Sequence, residues 1–196
     1  VPWAGGLGGL GGAKVVVVAR NPKDACVSAF NHAKDVPQFE YSGDFEHFTA
    51  QIFLQGKAES GCFWEWHAAW HRAAQATPGI LWISYEELKR DAPGSVRRLA
   101  GFLGLEAADE LVAEVVAASS FEAMKATFAG TNEKKCAEGR SDDVKTNHIR
   151  QGLAGAWRKK FSGPLLAAFD ARHAERMAAV GLEYDFDFGD EPMAEA

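Results

Sequence analysis

Arg20 and Ser28 bracket a dense polar stretch, Arg20-Asn-Pro-Lys-Asp-Ala-Cys-Val-Ser28, that follows directly on the apolar run Val15–Ala19. Asn21 is a good helix N-cap, Pro22 suits the first helical position and Asp24 the third. Strand, arginine, cap and helix (about Pro22–Lys34) therefore come in immediate succession. In an open parallel sheet, ligands bind beyond the C-terminal ends of the strands, and the N-terminus of a helix favours anions. A planar guanidinium at such a strand end, with a hydroxyl just over one turn past Asp24, would suit a phosphate. The same residues equally fit an arginine paired with a carboxylate at the edge of the sheet.

A second constellation lies in Ile149-Arg150-Gln151-Gly152-Leu-Ala-Gly155-Ala-Trp157-Arg158-Lys159-Lys160-Phe161. Between Val144 and Phe169 the Lys and Arg residues number five, with no Asp or Glu. Gly152 and Gly155 would let the backbone approach a ligand closely. A run of charge is usually a solvated face, but the interleaved Gly and Trp fit that reading poorly. Two further patterns are weaker. Gly6-x-Gly8-x-x-Gly11 has the letters of a dinucleotide-binding turn, yet it precedes a strand where that turn must follow one; the glycine-rich start reads better as a flexible leader. His67 and His71 are four apart on a helix, a metal-chelating spacing, but they have no third ligand and sit among Trp residues.

The elements that must position these groups alternate. Val15–Ala19 and Ile80–Ser84 are short apolar runs of the kind found in strands buried on both faces. Phe45–Leu54 and Phe63–Gln75 have helical character, the second with Phe63, Trp66, Trp70 and Ala74 on one stripe. Asp35–Gly43 is a polar loop. Pro93–Leu103 is an amphipathic helix with Gly104 placed as its C-cap, and Ala108–Ala118 is another. Phe128–Asn147 reads as a polar loop, and Leu165–Val180 is a closing helix that ends at Gly181. Strands alternating with helices indicate an α/β fold with a parallel sheet flanked by helices.

The chain has 196 residues, 47% of them hydrophobic, with a net charge of −6. That length supports one domain with a sizeable core. Residues 183–196 hold six acids and no Lys or Arg, which leaves the body neutral. Neutrality argues against generic nucleic-acid binding, and no apolar run approaches the ~20 residues of a membrane span. The three cysteines, Cys26, Cys62 and Cys136, form no disulfide framework, as in a reducing, cytoplasmic compartment. The expected organisation is a leader over 1–13, a domain over 14–182 and an acidic tail over 183–196. The chain opens on Val1 and not on Met, which fits either a fragment or a misplaced start.

Taken together, these residues resemble the cytosolic-type sulfotransferases. Arg20-Asn-Pro-Lys-Asp-x-x-Val-Ser28 is similar to the signature whose Arg and Ser bind the 3′-phosphate of 3′-phosphoadenosine 5′-phosphosulfate (PAPS). Arg150-Gln151-Gly152-x-x-Gly155-x-Trp157 resembles the second signature, R-K-G-x-x-G-D-W-K, on the same phosphate. Tyr85-Glu86-Glu87-Leu88-Lys89 is similar to Y-E-D-M-K, whose Tyr lies by the adenine. Ser119-Ser120-Phe121-Glu122-Ala123-Met124-Lys125 resembles T-S-F-x-x-M-K, another adenosine contact. Gly61–Trp70 resembles G-x-W-x-x-H-x-x-x-W. Five matches in order over roughly residues 14–165 are far more specific than any one of them.

The resemblance implies a P-loop-NTPase-like fold, PAPS as sulfonate donor without a metal, and a small hydroxyl or amine acceptor. It implies a cofactor site of Arg20, Ser28, Tyr85, Ser119, Ser120, Phe121, Met124, Arg150, Gln151 and Gly152. The departures carry expectations too. The family's T-Y-P-K-S-G-T loop, which holds the 5′-phosphosulfate, and its K-x-H-L-P segment, which carries the catalytic His, have no counterpart here. The expected domain thus lacks the first strand and that loop, covers about the C-terminal two-thirds of the family domain, and is inactive as an isolated chain. A nucleotide-binding remnant without turnover is the alternative. A kinase reading has no G-x-x-x-x-G-K-[ST] to support it. Gln151 and Ala156 replace the family's Lys and Asp. In the stretch aligned with the family's dimer segment, Gly163 and Ala167 replace its Val and Glu, which makes that mode of homodimer doubtful.

Overall fold

The computed structural model describes residues 12–128 and 152–186. The glycine-rich start, most of the expected 128–147 loop, Arg150 and Gln151, and the acidic end beyond 186 lie outside the described residues.

Two strands, β1 (Val15–Ala19) and β2 (Ile80–Ser84), pair in parallel with Val15 opposite Ile80 and Ala19 opposite Ser84. The crossover between them holds three α- or π-helical stretches and a 3-10 turn at Pro37–Phe39. The first is α1 (Pro22–Asp35), capped as its sequence requires: Pro22 opens it and the Asn21 side chain accepts the amide of Lys23 at 2.9 Å. A short α2 (Phe45–His47) continues as a π-helical stretch, Phe48–Phe53. Then comes α3 (Phe63–Ala76). After β2, the Ser84 hydroxyl and the Glu87 carboxylate form a reciprocal capping box that opens α4 (Tyr85–Arg90) without a loop. Helices α5 (Ala92–Leu103), α6 (Asp109–Ala118), α7 (residues 121–128) and, after the second described stretch begins, α8 (Gly163–Val180) complete the order. Gly104 and Gly181 end α5 and α8 at φ of 80° and 60°, a left-handed conformation that suits glycine.

The core packs α1 against the π-helical stretch and α8. Cys26, Phe30, Phe53, Trp64 and Phe169 are its centre, and Trp64 and Phe169 are fully buried. Trp64 keeps its indole N–H bonded there by donating to His173 Nδ1 at 2.9 Å. Truncating a ring such as Phe169 to Ala would cost about 3–5 kcal/mol.

One expectation fails in β1. Its β-branched run suggested burial on both faces, but the faces differ. Val17 is 4% exposed and Ala19 0%, against 39% for Val16 and 46% for Val18. Ala19 packs on Ala68 of α3 and on Leu182 and Phe186 after α8. Among the described residues the sheet has only these two strands, and no described element closes over Val16 and Val18. Among the described residues, no helix is long and apolar enough to cross a membrane.

Candidate functional site

The parallel register decides where the site forms. With Ala19 opposite Ser84, the next residues, Arg20 and Tyr85, emerge side by side at the same end of the sheet. The Arg20 guanidinium carbon lies over the Tyr85 ring, 4.5 Å from its centroid. Its Nη2 donates to the Leu153 carbonyl at 3.3 Å, while Nε is buried without a hydrogen-bond partner. Among the described residues no ion pair joins Arg20 to a carboxylate, though the Arg20 charge acts on Glu86.

Glu86, the residue after Tyr85, is 5% exposed. One carboxylate oxygen accepts the Asn21 amide at 2.9 Å and the other has no partner. Burial pushes its carboxyl above the usual range, and Asp24 adds to this; the Asn21 amide and the Arg20 charge offset part of it. The Tyr85 hydroxyl is raised as well, again chiefly by burial.

The second signature meets the first through Asp24. Its two oxygens accept the amides of Gly155 at 2.6 Å and Trp157 at 2.9 Å, across 131 and 133 residues. Gly155 can present its amide this way because its φ is 79°. Trp157 is the second residue of the 3-10 turn Ala156–Lys159, with its ring held between cations. Lys23 and Arg158 each lie 4.7 Å from its centroid, and Lys23 reaches on to Asp170 of α8 at 2.8 Å. Gly152 has a φ of 64°, and a Cβ there would meet the Phe121 ring at 2.5 Å. The chain at 152 thus rests directly on the aromatic residue of the 119–124 segment.

Ser28 lies on the exposed face of α1 and lines a cavity of about 770 Å³ with Arg20. The rest of the wall is mostly apolar: Phe39, Tyr41, Phe48, Ile52, Phe53 and Trp66 are prominent in it. His32 and His67 also reach it. His67 is 6% exposed, stacks on Phe63 at 3.8 Å and donates from Nδ1 to the Phe63 carbonyl at 2.8 Å. Burial lowers its imidazole to about 4. His71 faces Trp82, which His67 also meets, and Tyr184. No group of three His, Cys, Asp or Glu suited to a metal occurs among the described residues.

Arg20, Tyr85, Gly152 and Phe121 therefore come together around one strand end, and Ser28 shares a cavity with Arg20. Ser119 and Ser120 act locally: Ser119 Oγ donates to the Val115 carbonyl at 2.7 Å, and Ser120 Oγ accepts the Ala123 amide at 3.2 Å to cap α7. Met124 is 43% exposed. Asp24, Glu86 and Leu153 belong to the assembly without having been singled out as binding residues. Asp24 read only as a first-turn acid, and Glu86 only as a neighbour of Tyr85.

The sulfotransferase-domain family model matches residues 11–181. Mouse Sulfotransferase 2B1 is 35% identical over 168 residues, which is 86% of this chain and 49% of that protein. Human Sulfotransferase 2B1 is 33% identical over 168 residues, 86% of this chain and 45% of that protein. The chain spans about half the length of these curated relatives. Mouse sulfotransferase SULT7A1, solved in complex with PAP, superposes with a TM-score of 0.71 at 26% identity, over 85% of this chain and 58% of that one. Retinol dehydratase, solved with androsterone and the inactive cofactor PAP, gives 0.73 at 26% identity, over 87% and 49%.

Proposed function

We propose that this chain, which belongs to the sulfotransferase family, binds the 3′-phosphoadenosine end of PAPS where β1 and β2 end together, and serves transfer of a sulfonate to a hydroxyl or amine of a small, largely apolar acceptor. The observation that carries the reading is the position of Arg20. It stacks on Tyr85, touches the glycine loop through Leu153 and opens onto the cavity lined by Ser28.

The residues present fit such a nucleotide. Arg20 Nε is buried and unpartnered, a state that an anion would relieve. Ser28 offers an exposed hydroxyl at the same cavity, and the positive-φ glycines at 152 and 155 bring the backbone close. The Tyr85 and Phe121 rings supply surfaces for a base. When bound, PAPS supplies the sulfonate; the residues described here hold and orient its 3′-phosphate and adenine. The apolar wall of the cavity suits acceptors of the kind named for the structural relative solved with androsterone.

A non-catalytic binding module is the second reading, favoured by the state of Lys23 and His67. Lys23 is committed to Asp170 and Trp157, and His67 is held by Phe63 in an aromatic box.

Calorimetric titration with 3′,5′-ADP, 5′-AMP and ATP tests the site. The chain should prefer 3′,5′-ADP, and Arg20→Ala should weaken that nucleotide by roughly ten- to a hundredfold, as for loss of a charge-assisted contact, with little effect on 5′-AMP. Equal losses for both would overturn the assignment.

A further inference from the structure

Arg20 and Asp24 lie four residues apart around the start of α1 and grip the same distant loop at two points. The Arg20 contact to the Leu153 carbonyl is long, at 3.3 Å. The Asp24 contacts are short, at 2.6 and 2.9 Å, and use both carboxylate oxygens. Asp24 is 2% exposed. A carboxylate this deeply buried is tolerated only when its oxygens are satisfied, and amide bonds to an ionised acceptor are among the stronger hydrogen bonds a protein makes.

The two grips differ in what they can do when an anion arrives. Arg20 must turn its donors toward the phosphate, and its weak bond to Leu153 is the one that gives way. Asp24 has both oxygens taken by amides and offers a phosphate no donor. We propose that Asp24 is a positioning residue: it fixes the 152–157 loop against α1 independently of Arg20, so that the loop is already in place for the 3′-phosphate when Arg20 lets go of it. The inference rests on the nucleotide site proposed above. It assigns to Asp24 the selectivity for a 3′-phosphorylated nucleotide, although the side chain does not touch the ligand.

The Gly155 and Trp157 amides report on this directly. In the unmodified chain their hydrogen exchange, read by NMR, should be slow without nucleotide and slower still with 3′,5′-ADP, but not with 5′-AMP. Asp24→Asn keeps the side chain's shape and replaces one acceptor oxygen by a donor facing an amide. It should free one of the two amides, leave α8 protected, and reduce the preference for 3′,5′-ADP over 5′-AMP by about tenfold or more, with 5′-AMP affinity held within twofold. Fast exchange at both amides in the unmodified chain, with α8 protected, would overturn the proposal whether or not the variant folds. So would a variant with one amide freed and an unchanged preference. An unmodified chain that does not distinguish the two nucleotides while its amides are protected would instead defeat the nucleotide site, and this assignment with it.

Discussion

Arg20 lies over the ring of Tyr85, its guanidinium carbon 4.5 Å from the ring centroid, because the parallel register sets Ala19 opposite Ser84. A cation held over an aromatic face at this distance contributes about 0.5–2 kcal/mol, depending on desolvation. Tyr85→Leu should therefore weaken 3′,5′-ADP binding by about tenfold, through a misplaced Arg20 and the loss of a stacking surface. Tyr85→Phe keeps the ring and should remain within twofold of the unmodified chain. Titration of the two variants separates ring from hydroxyl: a Phe variant as weak as the Leu variant would show that the phenol oxygen, not the ring, matters.

Gly152 and Phe121 make a second coupled pair. A methyl at 152 would sit 2.5 Å from Phe121 Cδ2, at a backbone φ of 64°. The left-handed conformation costs a non-glycine residue about 1–2 kcal/mol, and the clash adds to it. Gly152→Ala should lower 3′,5′-ADP affinity by roughly ten- to a hundredfold. Phe121→Ala removes the clash but not the backbone strain, so the double variant should be less impaired than the two single losses summed. Strict additivity in the cycle would mean that the two residues act apart.

Much of this was legible in the sequence where the cause is local. The strand runs, the Asn21-Pro22 start of α1, and the Gly104 and Gly181 stops depend on neighbours a few residues away, and they form as read. The candidate residues Arg20, Ser28 and Gly152 stand out by type and spacing, and Tyr85 through the family resemblance. What could not be read depends on distant partners. Nothing near Asp24 in the chain shows that its oxygens meet amides 131 and 133 residues on. Nothing near Glu86 shows that it is buried against the Asn21 amide, 65 residues back. The π-helical stretch at Phe48–Phe53 follows no residue pattern that separates it from an α-helix. The β-branched run of β1 states a preference for strand, not how many of its faces are covered, and so Val16 and Val18 were misjudged.

His67 gives the fold an acid sensitivity of definite sign. Its imidazole titrates at about 4 against an unperturbed 6.5, chiefly because burial disfavours the charged ring. The unfolded chain therefore binds this proton more tightly than the folded one. Stability from His67 is complete above about pH 6.5 and is lost as pH falls toward 4, by about 3 kcal/mol in all and about 2 kcal/mol by pH 5. The groups around the ring, Phe63, Trp66, Trp82 and Phe186, are uncharged. His71, lowered by burial as well, acts in the same direction. Thermal melts at pH 7 and pH 5 should show a larger drop for the unmodified chain than for His67→Phe, by about 4–8 °C at this size. Equal drops would mean that His67 is not neutral in the fold.

The last prediction concerns turnover. Sulfonate transfer needs a base for the acceptor proton and a cation for the leaving phosphate. Lys23 follows a proline, as a phosphate-binding lysine could, but its ammonium is paired with Asp170 at 2.8 Å and lies over Trp157. Of the two imidazoles at the cavity, His67 is held at about 4, too acidic to take a proton efficiently near neutrality. His32 is exposed on α1, with its Nε2 4.0 Å from a carboxylate oxygen of Glu59. Electrostatic stabilisation of a leaving group is typically worth about 10²–10³ in rate per donor, and general-base assistance about 10²–10⁴. Without both, the rate should fall by on the order of 10⁴ or more. The purified 196-residue chain should accordingly bind 3′,5′-ADP and yet transfer no labelled sulfonate from PAPS to a panel of phenols, alcohols and amines. Turnover near the ~10 s⁻¹ of an ordinary enzyme would overturn this. In that event His32→Ala and His67→Phe, assayed side by side, would identify the base: the variant that loses turnover while still binding 3′,5′-ADP assigns the proton to that ring.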